Sequence, residues 1–369
     1  MQTAVHHTLR KAGPRSGISR PLKKLTLEIT KKCYNKCVYC SAYESEEAHR
    51  ILNLEDAKQV IDQLVEIGGQ ELSISGGEPL LHPNWSDIAI YAKNKGLKIR
   101  LFSCGILSKG QKKRKKFLST IDKISEIGFD SVEITLHAPY AELHDEITTV
   151  SGSFRNTYHF IRLLSAKTSS LEINFVPLQI NADELEELVD FVIKLKISES
   201  PRLNILRFIP QGRGRDNKAW LSLTKEDFGR LLKVILRLSK RKGIDVHLGH
   251  PSDFRFLIDN SCAPKPCSAG KEQCMIKITG DVIPCPAFGD MSEWIAGNIF
   301  HQTLGSIWKE SPVFYHLREF NYEYLDGDCR ICNKLELCQG RCPAQRIREN
   351  GDLYRGPDPD CPKGYIKHA

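Results

Sequence analysis

Three cysteines stand close together near the start of the sequence, in the stretch EITKKCYNKCVYCSA. They are Cys33, Cys37 and Cys40, spaced Cys-x3-Cys-x2-Cys. Thiolates are ligands for soft metals and iron–sulfur clusters. A four-iron cluster usually takes four thiolates, one per iron. Three from one short loop leave one iron free to coordinate something else, whereas the bare spacing also suits zinc with a remote fourth ligand. A second group of cysteines fills the last third of the chain. It comprises Cys267, Cys274 and Cys285, then Cys329, Cys332, Cys338 and Cys342 in GDCRICNKLELCQGRC, then Cys361. Between the two groups lies SGGEP, residues 75–79. Taken alone, Gly-Gly-Glu-Pro is a turn signal, with Gly76 and Gly77 free of Cβ collisions and Pro79 fixing the exit.

Composition decides what these thiols are for. The chain has 369 residues, 41% hydrophobic and 27% charged, with thirteen cysteines. It contains no run of 18 apolar residues and no secretory apolar stretch behind its basic start, so no membrane span is expected and the default location is cytoplasmic. Clustered cysteines in that compartment point to metal rather than disulfides. The formal charge of +8 is concentrated in two places. One is the N-terminal Arg10, Lys11, Arg15, Arg20, Lys23 and Lys24; the other is KGQKKRKK, residues 109–116. Such patches can hold an acidic partner or nucleic acid, but a tail and the solvated face of a helix account for them as well.

The elements that must position the thiols are legible as alternation. Strand-like runs occupy 24–30, 70–75, 97–103, 131–137, 171–177 and 203–209. Helical patterns lie near 54–67, 84–95, 112–127, 154–166, 183–196 and 224–241; Ala57, Val60, Ile61, Leu64 and Val65 illustrate the spacing. Six strand–helix units predict an α/β fold, a partial (β/α)6 TIM-like barrel with a parallel sheet. Chemistry in such barrels collects at the C-terminal ends of the strands, where both the cysteine loop and SGGEP fall. The alternation breaks near residue 250. The expected organisation is a basic tail at 1–23, the barrel at 24–249, a linker at 250–265, and a small cysteine-rich domain at 266–369 stapled by metal.

The cysteine loop, with Tyr39 before its last thiol and SISGGEP after the next strand, resembles the radical S-adenosylmethionine (SAM) superfamily. That resemblance implies that Cys33, Cys37 and Cys40 hold a 4Fe–4S cluster whose open iron chelates SAM. Reduction would then cleave SAM to methionine and a 5′-deoxyadenosyl radical that abstracts a substrate hydrogen. It further implies SAM contacts from Tyr39 near the adenine, from Gly76, Gly77, Glu78 and Pro79, with backbone carbonyls of that turn and Glu78 accepting from the SAM ammonium, and from Thr135, Arg155 and Asn174; Asn181 and Arg207 are weaker candidates. No side chain is assigned a catalytic role. The QGRGRD loop at 211–216 is placed to face substrate, or is an ordinary turn. The C-terminal cysteines resemble the SPASM extension, which implies two auxiliary 4Fe–4S clusters and three clusters in all. One would take Cys267, Cys274, Cys285 and Cys342; the other Cys329, Cys332, Cys338 and Cys361. Cys262 is then the spare thiol, and Cys104 a buried structural one.

The function implied is oxidative modification of a ribosomal peptide or protein side chain, with a reductant such as flavodoxin or ferredoxin. Only 23 residues precede the first strand, so either a separate protein presents the peptide or the substrate is not a leader-bearing peptide. The alternative is a tetrapyrrole or other small-molecule substrate. A non-catalytic iron–sulfur carrier or a zinc-bound nucleic-acid module would leave SGGEP without a purpose.

Overall fold

The computed structural model describes residues 20–41, 50–107, 114–249 and 251–366. Arg10, Lys11 and Arg15 of the N-terminal basic stretch and Lys109, Lys112 and Lys113 of the second basic cluster lie outside these residues.

Seven parallel strands follow one another in chain order: β1 (Lys24–Thr30), β2 (Glu71–Gly76), β3 (Lys98–Ser103), β4 (Ser131–Thr135), β5 (Leu171–Phe175), β6 (Arg202–Ile205) and β7 (Asp245–Leu248). Helices cover the sheet: α1 (Leu54–Glu66), α2 (Trp85–Asn94), α3 (Arg114–Ile127), α4 (Ala141–Thr148), α5 (Ser153–Ser165), α6 (Leu185–Leu195) and α7 (Lys225–Leu238). Side-chain alternation sorts β1: Leu25, Leu27 and Ile29 are buried in the hydrophobic core, whereas Glu28 lines the strand-end cavity. On α1, Asn53 caps the first turn by accepting from the Asp56 amide, and Ala57, Val60, Ile61 and Leu64 form its buried stripe. Each fully buried Leu or Ile contributes ~1.5–3 kcal/mol.

The barrel predicted from six units is present with one more strand. β7 has four residues, two of them facing solvent, so its apolar signal is two residues long. The short helix α4 also went unread, because it has only eight residues and starts two positions after Pro139.

The cysteine-rich part does not begin with a break in the sheet. β8 (Gln273–Ile276) pairs in parallel with β1, and β9 (Asp281–Ile283) and β10 (Gly297–Asn298) continue antiparallel, giving the order β10-β9-β8-β1-β2-β3-β4-β5-β6-β7. α8 (Leu304–Glu310), α9 (Pro312–Arg318) and α10 (Pro343–Asn350) follow. One hydrophobic core runs from Leu25 to Ile276, Trp308 and Ile347. The Leu304 amide donates to Gln63 of α1 at 2.6 Å, and Trp308 Nε1 to the Arg20 carbonyl at 2.7 Å. Among the described residues no helix is long and apolar enough to cross a membrane.

Candidate active site

An open-mouthed cavity of about 380 Å³ sits at the C-terminal ends of β1–β6. Cys33, Cys37, Tyr39 and Cys40 line it beside Gly76, Gly77, Thr135, His137 and Asn174.

The cysteine loop has no regular structure of its own and is held from two sides. Toward α4, the Lys36 amide donates to the Thr148 carbonyl at 3.0 Å and the Val38 amide to the Ile147 carbonyl at 2.9 Å. From the other side, the Arg213 amide donates to the Cys40 carbonyl (3.1 Å), Arg213 Nε to the Cys37 carbonyl (2.9 Å), and Asn217 Nδ2 to the Val38 carbonyl (2.8 Å). The segment around QGRGRD is therefore a clamp on the loop. Only Gln211 and Ile209 from this neighbourhood reach the cavity wall, and Gln211 Nε2 itself donates to the Ala287 carbonyl.

SGGEP does something other than its composition suggested. A Cβ on Gly76 would lie 2.2 Å from the Thr30 carbonyl oxygen, and one on Gly77 2.5 Å from that of Lys32. The glycines are required because the chain runs against the exit of β1, with the Gly77 amide on the Thr30 carbonyl at 2.6 Å and the Glu78 amide on the Lys32 carbonyl at 2.7 Å. Glu78 turns away from the cavity and is fully buried. Its carboxylate accepts from Ser103 Oγ (2.8 Å), the Cys104 amide (2.7 Å), Cys104 Sγ (2.9 Å) and the Leu80 amide (3.1 Å). Burial raises its pKa against these bonds. Glu78 and the buried Pro79 thus tie β2 to the end of β3, and the Glu78 carboxylate is not turned toward the cavity. Cys104 is half-buried on the cavity wall, and its thiol shares a hydrogen bond with Cys33 that holds the Cys33 thiol below the ordinary range.

The other expected contacts divide. Thr135 lines the cavity from the end of β4. Asn174 lines it too, but its amide donates to Glu133 (3.0 Å) and its oxygen accepts from Asn204 (3.0 Å). Asn181 is buried in a turn, accepting from the Leu178 amide at 2.6 Å. Arg155 is exposed on α5 and does not line the cavity. The turn before it is held instead by Asp145, which accepts from the Gly152, Ser153 and Phe154 groups at 2.5–2.9 Å. Arg207 reaches the cavity but is engaged by Asp358 at 2.8 and 2.6 Å and by Asp360 at 2.7 Å.

Two histidines escaped the sequence reading. His137 Nε2 lies 3.3 Å from the Tyr39 hydroxyl, and the His137 amide donates to His144 Nδ1 at 3.2 Å. That bond makes Nδ1 the acceptor and puts the His144 proton on Nε2. His137 Nδ1 and His144 Nε2 are buried without partners. The signal available was His137 two residues past Thr135 at the strand end. Burial pushes His137 well down and His144 from 6.5 to about 4. The unfolded chain therefore binds a proton that the folded one excludes. The stability contributed by His144 is present above about 6.5 and is lost as the pH falls toward about 4, by at most ~1.4 kcal/mol per pH unit. Urea midpoints are expected to fall between pH 7 and pH 5, and to fall less steeply in His144→Gln. Parallel profiles would place the dependence elsewhere.

The C-terminal thiols form two electrostatic groups. Cys285 is raised by burial and then by Cys267 and Cys342. Cys329 is pushed up to about 11 by burial, with Cys361 and Cys332 adding, and Cys361 likewise with Cys338 and Cys332. Cys274, expected in the first group, stands apart. On β8 it is in register with the core residue Leu25, while its neighbour Met275 lines the cavity. Alternation along the strand buries its thiol in the core, and the charged neighbour it feels is Arg318.

A parallel barrel with a three-cysteine loop at its strand ends and a cysteine-rich extension sealed to β1 defines an iron–sulfur enzyme class. Family models match as the radical SAM superfamily over residues 27–192 and as an iron–sulfur cluster-binding domain, SPASM, over residues 267–333. The chain belongs to the radical SAM superfamily and carries a SPASM domain. It is 26% identical over 351 residues to the AdoMet-dependent heme synthase of Methanosarcina barkeri, covering 90% of this chain and 94% of that one. It is 28% identical to the mycofactocin maturase MftC of Mycolicibacterium smegmatis (95% and 84% covered) and 26% to the PqqA peptide cyclase of a Methylobacterium species (91% and 85%). Streptococcus suis SuiB bound to its precursor peptide has the same fold, with a TM-score of 0.73 at 20% identity over 93% of this chain and 76% of that one.

Proposed function

We propose that the chain modifies a side chain of a ribosomally made peptide by radical SAM chemistry, with Cys33, Cys37 and Cys40 holding the SAM-binding cluster. The observation that carries the reading is the convergence of those thiols with Gly76, Gly77, Tyr39 and Thr135 on one cavity at the strand ends. The residues fit the group: three thiols project from a loop whose carbonyls are already bonded to Arg213 and Asn217. When bound, cluster and SAM together supply a hydrogen-abstracting radical. The chain's own part is to orient and to exclude water. Phe102, Val176, Leu206 and Met275 give the wall its apolar face. Glu78 locks β2 to β3 from behind, so that the glycine turn keeps its place. A peptide substrate is supported by the relative named a PqqA peptide cyclase. A tetrapyrrole is the second reading, favoured by the heme synthase relative, nearly all of whose length aligns.

In the C-terminal part, Cys329, Cys332, Cys338 and Cys361 would hold one auxiliary cluster. Cys267, Cys285 and Cys342 would hold the other, and with Cys274 in the core the remaining thiol for its fourth iron is Cys262. Two measurements test this reading. The anaerobically reconstituted, reduced protein is expected to move deuterium from a labelled precursor peptide into 5′-deoxyadenosine; transfer from a labelled porphyrin precursor instead would install the second reading. Cys262→Ala is expected to lose one cluster, read as iron content and electron paramagnetic resonance, and Cys274→Ala to keep all its iron. The reverse pattern would return Cys274 to the ligand set.

A further inference from the structure

Among the described residues Arg346 is the largest fully buried side chain, with 0% exposure, and its Nε and both terminal nitrogens make no hydrogen bond. It stands one turn into α10, four residues after Cys342. A buried guanidinium with five unused donors costs several kcal/mol unless an anion meets it. The groups around it are thiols: the charges it feels are, in order, Cys329, Asp358, Cys338 and Cys342. Asp358 is already engaged by Arg207 and by the Cys342 and Asp360 amides. The ring of Phe320 lies 5.3 Å from the guanidinium carbon. Gly340, at φ +73°, leaves room for it, since a Cβ there would lie 2.2 Å from a terminal nitrogen. Nothing among these neighbours satisfies the donors, and the cysteines are the anionic side left open.

We propose that Arg346 is a positioning residue for the auxiliary clusters: its guanidinium donates to the sulfurs of the cluster held by Cys329, Cys332, Cys338 and Cys361, on the side facing Cys342, and raises that cluster's reduction potential. The inference rests on the reading that these cysteines hold a cluster. The physical reason is charge. A four-iron cluster with four thiolates is anionic, and taking one electron from a low-potential one-electron donor makes it more so. A fixed cation with hydrogen bonds to the sulfurs favours the reduced form. No proton moves, because the guanidinium stays charged. Placed between thiols of both groups, Arg346 also biases which auxiliary cluster keeps the electron.

The test is a redox titration followed by electron paramagnetic resonance on the full chain, in a background carrying Cys33→Ala, Cys37→Ala and Cys40→Ala so that only the auxiliary signals remain. Arg346→Met is expected to keep its iron and to be about tenfold less reduced at the potential where the parent is half-reduced, which is ~59 mV for a one-electron couple. Arg346→Lys, which keeps the charge and loses the fork, is expected to fall between the two. If Arg346→Met loses iron, an Arg346→Lys variant that retains it with a potential below the parent's upholds the role, and one at or above the parent's overturns it. Full iron with the parent's potential in Arg346→Met overturns the proposal, as does loss of iron from both variants. An unmutated chain that saturates at about four irons would instead refute the cluster reading itself, so the two failures are distinguishable.

Discussion

A variant with Cys33, Cys37 and Cys40 all changed to Ala is expected to release no 5′-deoxyadenosine under dithionite, while retaining roughly 8 of roughly 12 irons. The effect should be close to total because the cavity offers no other three thiols. Cys104 is the one further cysteine on its wall, and its thiol is already bonded to Glu78. The fold should survive. The loop's attachments to α4 and to residues 213–217 run through its backbone, which alanine keeps. Residual SAM cleavage at the parent's rate would put the SAM site elsewhere. Iron falling to zero would mean that the C-terminal cysteines cannot hold clusters without the loop.

Arg207→Met is expected to destabilise the protein by ~3–5 kcal/mol and to loosen the segment that carries Cys361. Arg207 rises from just past β6 and meets Asp358 with two parallel bonds. Asp358, itself buried, also accepts from the Cys342 amide at 2.9 Å. Removing the cation strands a carboxylate among thiols, where a second negative charge is least tolerated. Thermal unfolding and iron content would register the change together. Arg207→Met combined with Asp358→Leu should recover part of the loss, because replacing both partners removes the stranded charge. A single variant as stable as the parent would show that Asp358 has another partner.

Much of the site was legible because its spacing is local. Three thiols within eight residues and two glycines at a strand end announce themselves without knowledge of the fold. What could not be read depends on which way a side chain faces once strands pair. Cys274 has a ligand's chemistry and a plausible spacing, yet the register of β8 on β1 turns it into the core. Glu78 looks like a ligand for an ammonium, but Ser103 and Cys104, some twenty-five residues on, claim its oxygens. Arg155 was placed at the site as the start of the helix beyond the fourth strand, whereas that helix presents it to solvent and Asp145 holds the turn before it. His137 and His144 gain meaning only when β4 and α4 bring them within 3.2 Å backbone to ring. Most strands were found because alternation is a local pattern; β7 was lost because four residues are too few to show one.

The pairing of β8 with β1 also has a kinetic side. It joins residues 24–27 to residues 273–276, so the first strand made waits for almost the last third of the chain before its edge is covered. Contacts of such separation close slowly, and a parallel edge left bare is a template for another molecule's strand. During synthesis the cysteine loop is thus exposed beside an unguarded edge, with Met275 and Lys277 absent from the cavity wall. The order of events that avoids association is closure of β8 first and loading of the loop with iron afterwards. In a chain ending before β8 neither step has its partner, and such a fragment should be found in aggregates rather than as a smaller enzyme.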